Sequence, residues 1–104
     1  MERTISPDAL KDVLNEIVML DVRRENDYAA SGDVMPGSLW RNPEAIDAWL
    51  DEVPMDRDVV IYCVRGGSVS NSVVDRLQTA GVRARYIEGG IEGWKAAGGP
   101  VVAK

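Results

Sequence analysis

The apolar residues of this chain follow two spacings in turn, and their order predicts the fold class. Apolar stripes, capping residues and chain breakers predict five helices, at residues 7–16, 25–30, 43–53, 68–80 and 91–97. Short unbroken apolar runs predict three buried strands, at residues 18–23, 59–62 and 84–87. Helices that alternate with strands predict an α/β fold with a mainly parallel sheet, right-handed crossovers and helices on both faces.

Capping residues mark the ends of the predicted helices. Ser6 and Asn42 each precede a proline and an acidic residue, which is typical of a helix N-terminus. Pro54 ends one helix, and Gly81 has the residue type and position of a C-terminal cap for another.

Length and composition predict one soluble domain spanning residues 1–104. The chain is 45% hydrophobic and 28% charged, as in ordinary globular proteins. Its net charge of −5 argues against a nucleic-acid partner, because such a protein needs a basic face for the phosphate backbone. Since no apolar run is long enough for a signal peptide or a membrane span, we expect a cytoplasmic protein with no membrane partner.

One cysteine and no histidine exclude most familiar catalytic and metal sites. A Ser-His-Asp triad, a Cys-His pair and a histidine metal site each need a residue that is absent. A disulfide or a cysteine-only zinc site within the chain would need more thiols than Cys63 supplies. We therefore expect no metal and no cofactor, and Cys63 is the only candidate thiol nucleophile.

Cys63 follows the strongest strand pattern, at the edge of a parallel sheet where ligands collect. Gly66 and Gly67 then allow a tight loop whose backbone N–H groups face the sulfur. Each hydrogen bond to a charged group contributes about 1.5–3 kcal/mol, against about 0.3–1 kcal/mol from a helix dipole. Arg65 adds positive charge for a thiolate or an anionic substrate. From these residues alone, a nucleophile and a buried structural cysteine remain equally open.

Ordered landmarks over nearly the whole chain resemble a known family. They are Leu20-Asp21-Val22-Arg23, residues 25–28, Pro36-Gly37-Ser38, Val59–Cys63 and the closing Tyr86–Trp94. In this order they resemble a single-domain rhodanese, a sulfurtransferase. The resemblance implies a three-layer rhodanese-like domain in which Cys63 carries a persulfide and Val64, Arg65, Gly66, Gly67 and Ser68 form the active loop. It implies a small sulfur-containing anion such as thiosulfate as donor, and cyanide, a thiol or a protein thiol as acceptor.

Two positions depart from the family pattern. Many members have a histidine in the middle loop, where this chain has Asp33 within residues 32–37. A basic residue often follows the active cysteine directly, whereas Val64 follows it here and Arg65 comes one position later. The first difference concerns the contacts around the histidine position and not the sulfur chemistry, and the second concerns the preference for an acceptor.

Several other residues are candidates for the pocket or its support. We expect Asp21 and Arg23 to form a structural ion pair, because buried charges need partners. Trp40 and Arg41 are candidates for the pocket wall. Ser68 is a candidate hydrogen-bond donor to the sulfur.

Two other functions remain as alternatives. A cysteine phosphatase or arsenate reductase needs an arginine six positions after the cysteine to fork the oxyanion, and Val69 occupies that position. A non-catalytic interaction module would use the loop to bind a partner. Sulfur transfer fits the absence of histidine better than acyl transfer does, because sulfite leaves as an anion and needs no general acid.

Overall fold

Five strands form one parallel sheet in the computed structural model, which describes residues 2–104. The described residues contain seven strands in all, which are, in chain order, β1 (Thr4–Ile5), β2 (Val18–Asp21), β3 (Asp33–Val34), β4 (Leu39–Trp40), β5 (Asp58–Tyr62), β6 (Arg83–Ile87) and β7 (Val102–Ala103). The sheet order is β1-β6-β5-β2-β4, and each neighbouring pair is parallel. β3 and β7 form a separate antiparallel pair. The predicted parallel α/β architecture is confirmed, with β5 at the centre of the sheet.

Helices cover both faces of the sheet. They are α1 (Pro7–Val13), α2 (Glu25–Ala30), α3 (Ile46–Trp49), α4 (Ser68–Thr79) and α5 (Gly90–Ala96), and 3-10 turns occupy Leu14–Glu16, Pro43–Ala45 and Leu50–Glu52. Two of the five predicted helices therefore change to 3-10 geometry partway. Ser6 caps α1 as expected, since its Oγ accepts a hydrogen bond from the Ala9 N–H at 3.2 Å.

Alternating side chains of β5 divide the core into two layers. Val59 and Ile61 face the layer that contains α3 and α4, whereas Val60 and Tyr62 face the layer that contains α1 and α5. All four side chains are fully buried. Packing on both faces thus holds β5 in place, and Cys63 follows directly at the end of this packed strand.

The sequence patterns missed the short strands. β1, β3, β4 and β7 each have two residues, too few to show a period of alternation. β2 also ends at Asp21, two residues before the predicted end. The chain turns there because the Arg23 N–H donates to Asp21 Oδ1 at 3.0 Å.

Candidate functional site

Cys63 lies at the carboxyl edge of the sheet, directly after β5, in the wall of a cavity of about 550 Å³. The cavity lies between the loop that follows β5 and the start of α2. Its lining residues are Arg23, Arg24, Asp27, Cys63, Val64, Arg65, Gly67, Ser68 and Val69. Since only 6% of Cys63 is exposed, this cavity is its route to solvent.

Two hydrogen-bond donors point at the Cys63 sulfur. The Gly66 N–H lies 3.2 Å from Sγ, and the Ser70 Oγ lies 3.0 Å from it. Ser70 is fully buried, so its hydroxyl needs this partner. One amide and one hydroxyl therefore replace the several loop amides expected from the sequence.

The hydroxyl donor is Ser70 and not Ser68, contrary to the sequence prediction. Ser70 shares the inner face of α4 with Val73, Val74 and Leu77, whereas Ser68 begins the helix and is exposed. A serine on a buried apolar stripe needs a partner for its hydroxyl, and this signal was present in the sequence.

Gly90 lets the start of α5 pack closely against the active loop. Gly90 has φ 62°, and a Cβ there would lie 2.5 Å from the carbonyl oxygens of Cys63 and Val64. The N–H groups of Ile91 and Glu92 donate to those same oxygens at 2.9 and 3.1 Å. The first turn of α5 thus fixes the loop backbone, a contact that no local sequence pattern indicates.

The two loop glycines differ in what their positions require. Gly66 has φ 72°, and a Cβ there would meet the Gly89 nitrogen and the Ile87 oxygen at 3.1 Å. Gly67 has φ −90°, and a Cβ there meets nothing within 4 Å. Of the two, only Gly66 therefore has a backbone conformation that favours glycine.

Asp21 and Arg23 form a buried ion pair at the wall of the cavity, which Arg23 lines. The Arg23 Nη2 donates to Asp21 Oδ2 at 2.7 Å, and Nε reaches both carboxylate oxygens at 3.1 Å. Burial alone would lower the pKa of Arg23, but the hydrogen bond and charge of Asp21 outweigh it and raise that pKa. Arg23 also donates to the Asp33 carbonyl oxygen, so its guanidinium ties β2 to the middle loop.

Trp40 and Arg41 do not line the cavity. The Trp40 Nε1 donates to the Arg23 carbonyl oxygen at 2.9 Å, and its ring stacks on Tyr28 with centroids 4.9 Å apart. Arg41 pairs with Glu52 at 3.2 Å. Trp40 thus stabilises the segment that carries Arg23 through this hydrogen bond. Arg41 forms a surface ion pair away from the cavity.

Asp33, the residue at the family's histidine position, pairs with α5. Its carboxylate lies 3.1 Å from Lys95 Nζ and accepts from Ser31 Oγ at 3.0 Å. The hydrogen bond from Lys95, followed by that from Ser31, lowers the pKa of Asp33. This side chain thus joins the middle loop to α5 and does not line the Cys63 cavity.

Tyr62, the residue before Cys63, is fixed by a ring of hydrogen bonds. Its Oη accepts from the Met35 N–H at 3.2 Å and lies 2.9 Å from Ser38 Oγ. Because Ser38 donates its proton to the Met35 carbonyl oxygen, Tyr62 donates to Ser38. Burial raises the pKa of Tyr62 to about 12.

Within residues 2–104, no group of three or more histidine, cysteine or acidic side chains is placed to hold a metal ion. No helix in that range is long and apolar enough to cross a bilayer. The chemistry of the site therefore has to be argued from Cys63, its two donors and the charged residues of the cavity.

Arg24 and Asp27 also line the cavity, although no sequence pattern indicates them. Arg24 is the N-cap of α2, and Asp27 lies in its first turn. Periodicity could not find them, because both side chains are exposed and belong to no apolar stripe. Only the approach of α2 to the loop after β5 brings them to the cysteine.

Comparisons with known proteins agree with this architecture. The family model for the Rhodanese-like domain matches residues 6–97. A sulfurtransferase from Allochromatium vinosum is 31% identical over 88 residues, which cover 85% of this chain and 80% of that protein.

Solved structures share the fold over almost the whole chain. A rhodanese-related protein from Thermoplasma volcanium superposes with a TM-score of 0.85 at 24% identity, covering 96% of this chain and 97% of the other. A rhodanese-like domain protein from Staphylococcus aureus gives a TM-score of 0.77 at 28% identity, covering 88% and 90%. With the family match and the 31% identical relative, these likenesses show that the chain belongs to the rhodanese-like domain family.

Proposed function

We propose that this protein is a sulfurtransferase that carries a sulfane sulfur on Cys63. The observation that supports this most is the setting of the sulfur, which faces an open cavity and accepts hydrogen bonds from Gly66 and Ser70. These donors stabilise negative charge on a sulfur atom. A structural cysteine would need neither the donors nor the cavity.

In the first step, the Cys63 thiolate attacks the outer sulfur of an anionic donor such as thiosulfate. A bond forms between Sγ and that sulfur, while the sulfur–sulfur bond of the donor breaks. Sulfite leaves with the electron pair, and Cys63 becomes a persulfide. No proton has to be delivered to sulfite, which fits a chain without histidine.

In the second step, a nucleophilic acceptor attacks the terminal sulfur of the persulfide. With cyanide the product is thiocyanate, and with a thiolate it is a new persulfide. The bond between the two sulfurs on Cys63 breaks, and the electron pair returns to Sγ as thiolate. Gly66 and Ser70 are placed to stabilise this returning charge.

Arg65 supplies charge for the anionic donor. It lines the cavity, is exposed, and forms no ion pair with any residue that the structure describes. Its guanidinium is therefore free to meet a sulfonate-type oxyanion.

Phosphate-ester chemistry is less well served by the same cavity. Val69 lines it at the position where such enzymes need an arginine to fork the equatorial oxygens. An apolar side chain gives no hydrogen bonds to the transferring group. We therefore propose sulfur transfer and not phosphoryl transfer.

Intact-mass spectrometry after incubation with thiosulfate tests the proposal. The wild type should gain one sulfur atom per chain and lose it again on addition of cyanide. Cys63→Ala is the matched control and should gain nothing. A wild type that neither gains sulfur nor forms thiocyanate would leave the cavity as a binding site in a non-catalytic module.

A further inference from the structure

Most arginines of this acidic chain are neutralised, but two at the Cys63 cavity are not. Five of the nine form ion pairs, namely Arg3, Arg23, Arg41, Arg76 and Arg83. Of the arginines without an ion pair among residues 2–104, Arg24 and Arg65 line the cavity. In a chain with a net charge of −5, two arginines without ion pairs beside the nucleophile are a local property of this site.

Arg24 lies at a helix N-terminus, where an arginine is unfavourable for the stability of the helix. It is the N-cap of α2, with φ −59° and ψ 153°, and its side chain makes no capping hydrogen bond. Serine, threonine, asparagine and aspartate are preferred there, and a positive charge opposes the helix dipole. A residue that breaks a local rule without a structural gain points to a functional use.

The location of Arg24 suggests that use. Arg24 lines the Cys63 cavity and also an adjoining cavity of about 160 Å³ between Pro43 and α4. Ser68 and Val69 line both cavities as well, so the two are neighbours across the start of α4. An anionic group bound beside the sulfur would therefore meet Arg24 on one wall and Arg65 in the loop.

We propose that Arg24 is a specificity-determining residue that binds the oxyanion end of the sulfur donor together with Arg65. This inference rests on the proposed sulfurtransferase function. Two guanidinium groups around one cavity favour a doubly charged donor over a singly charged one, since each charge adds its own attraction. Asp27 also lines the cavity and forms no ion pair with Arg24, so its charge opposes the same anion.

Arg24→Ser tests the proposal because it should separate stability from substrate use. Serine is a favoured N-cap, so the melting temperature should rise by about 3–8 °C. The KM for thiosulfate should rise about three- to tenfold, with a smaller change for a singly charged thiosulfonate. A more stable protein that uses the dianion less well cannot owe its loss to unfolding.

Arg57→Ser is the matched control. Arg57 is also exposed and without an ion pair among the described residues, but it precedes β5 and so lies at the opposite edge of the sheet. The variant removes the same charge and should leave the KM for thiosulfate unchanged. Asp27→Asn should lower that KM, since it removes the opposing charge.

Alkylation of Cys63 gives a readout that does not depend on sulfur transfer. Iodoacetate is anionic and iodoacetamide is neutral, and each forms a carbon–sulfur bond with the only thiol of the chain while iodide leaves with the electron pair. The ratio of the iodoacetate rate to the iodoacetamide rate should fall about two- to fivefold in Arg24→Ser. The difference in this ratio between the wild type and the variant should shrink at high salt. Arg57→Ser should keep the wild-type ratio.

The outcomes separate the two proposals. An unchanged ratio and an unchanged KM in Arg24→Ser would overturn the role of Arg24, whatever the wild type does with thiosulfate. A lowered ratio in a protein that takes no sulfur from thiosulfate would support anion recognition by Arg24 and refute the proposed donor.

Discussion

Removing the Ser70 hydroxyl should slow sulfur loading without destabilising the protein. Ser70→Ala deletes the donor that lies 3.0 Å from Cys63 Sγ and leaves the Gly66 N–H as the remaining donor among the described residues. A hydrogen bond to a charged group contributes about 1.5–3 kcal/mol, so the thiolate loses about that much stabilisation.

Only part of this loss appears in the rate. Losing the hydrogen bond also makes the thiolate more nucleophilic, and a Brønsted coefficient of about 0.4–0.5 leaves roughly half of the free-energy change in the barrier. The rate of persulfide formation at neutral pH should therefore fall roughly four- to 20-fold. Stability should change little, because alanine is a better helix former than serine by about 0.5 kcal/mol.

Single-turnover kinetics measure this effect. The wild type and Ser70→Ala are mixed with excess thiosulfate, and persulfide formation is followed by quenched mass spectrometry. Ser6→Ala serves as a stability control, since it removes the α1 cap, worth about 1 kcal/mol, far from the sulfur. A Ser70→Ala rate within twofold of the wild-type rate would refute the assignment of Ser70 as a donor to the reacting sulfur.

Three further predictions follow from the same contacts. Gly66→Ala should lower the free energy of unfolding by about 1–2 kcal/mol or more, because Gly66 has a positive φ and close backbone neighbours. Gly67→Ala should lower it far less, since Gly67 has neither feature. Equal losses of the two variants in urea denaturation would contradict this prediction. Arg65→Gln should raise the KM for thiosulfate about three- to tenfold while the unfolding midpoint stays near that of the wild type, and an unchanged KM would exclude its contact with the donor. Folding raises the pKa of Tyr62 from about 10 to about 12, so the stability it contributes is complete below pH 10 and is lost as the pH rises toward 12. The wild type should lose at most roughly 3 kcal/mol relative to Tyr62→Phe over that range in urea denaturation, and a constant difference between the two would contradict the burial of the phenol.

The sheet could be predicted because its central strands are long and apolar. Residues 59–62 are three β-branched residues and a tyrosine, types that are enriched in strands, so this strand could be predicted from its own residues. The two-residue strands β1 and β4 form only because β6 and β2 offer them an edge. Their own residues carry no pattern that indicates pairing.

Part of the site could likewise be predicted from local sequence, and part of it depends on tertiary contacts. Cys63 and its loop could be located from the end of a strand and two glycines, which are local signals. Ser70 lies on the apolar stripe of α4, so its burial could be predicted, whereas its contact with Cys63 depends on how α4 packs against the sheet. Arg24 reaches the cavity only because α2 lies against the loop, and that contact joins segments about forty residues apart in the chain.

The central claim is that one sulfur atom passes through Cys63, and a balance of sulfur over one turnover tests it most directly. The protein is mixed with thiosulfate and the sulfite released is counted; the donor is then removed, cyanide is added, and the thiocyanate formed is counted. We predict one sulfite and then one thiocyanate per chain for the wild type, and neither for Cys63→Ala. Thiocyanate formation by Cys63→Ala, or sulfite release by the wild type without a matching sulfur on the protein, would contradict the account.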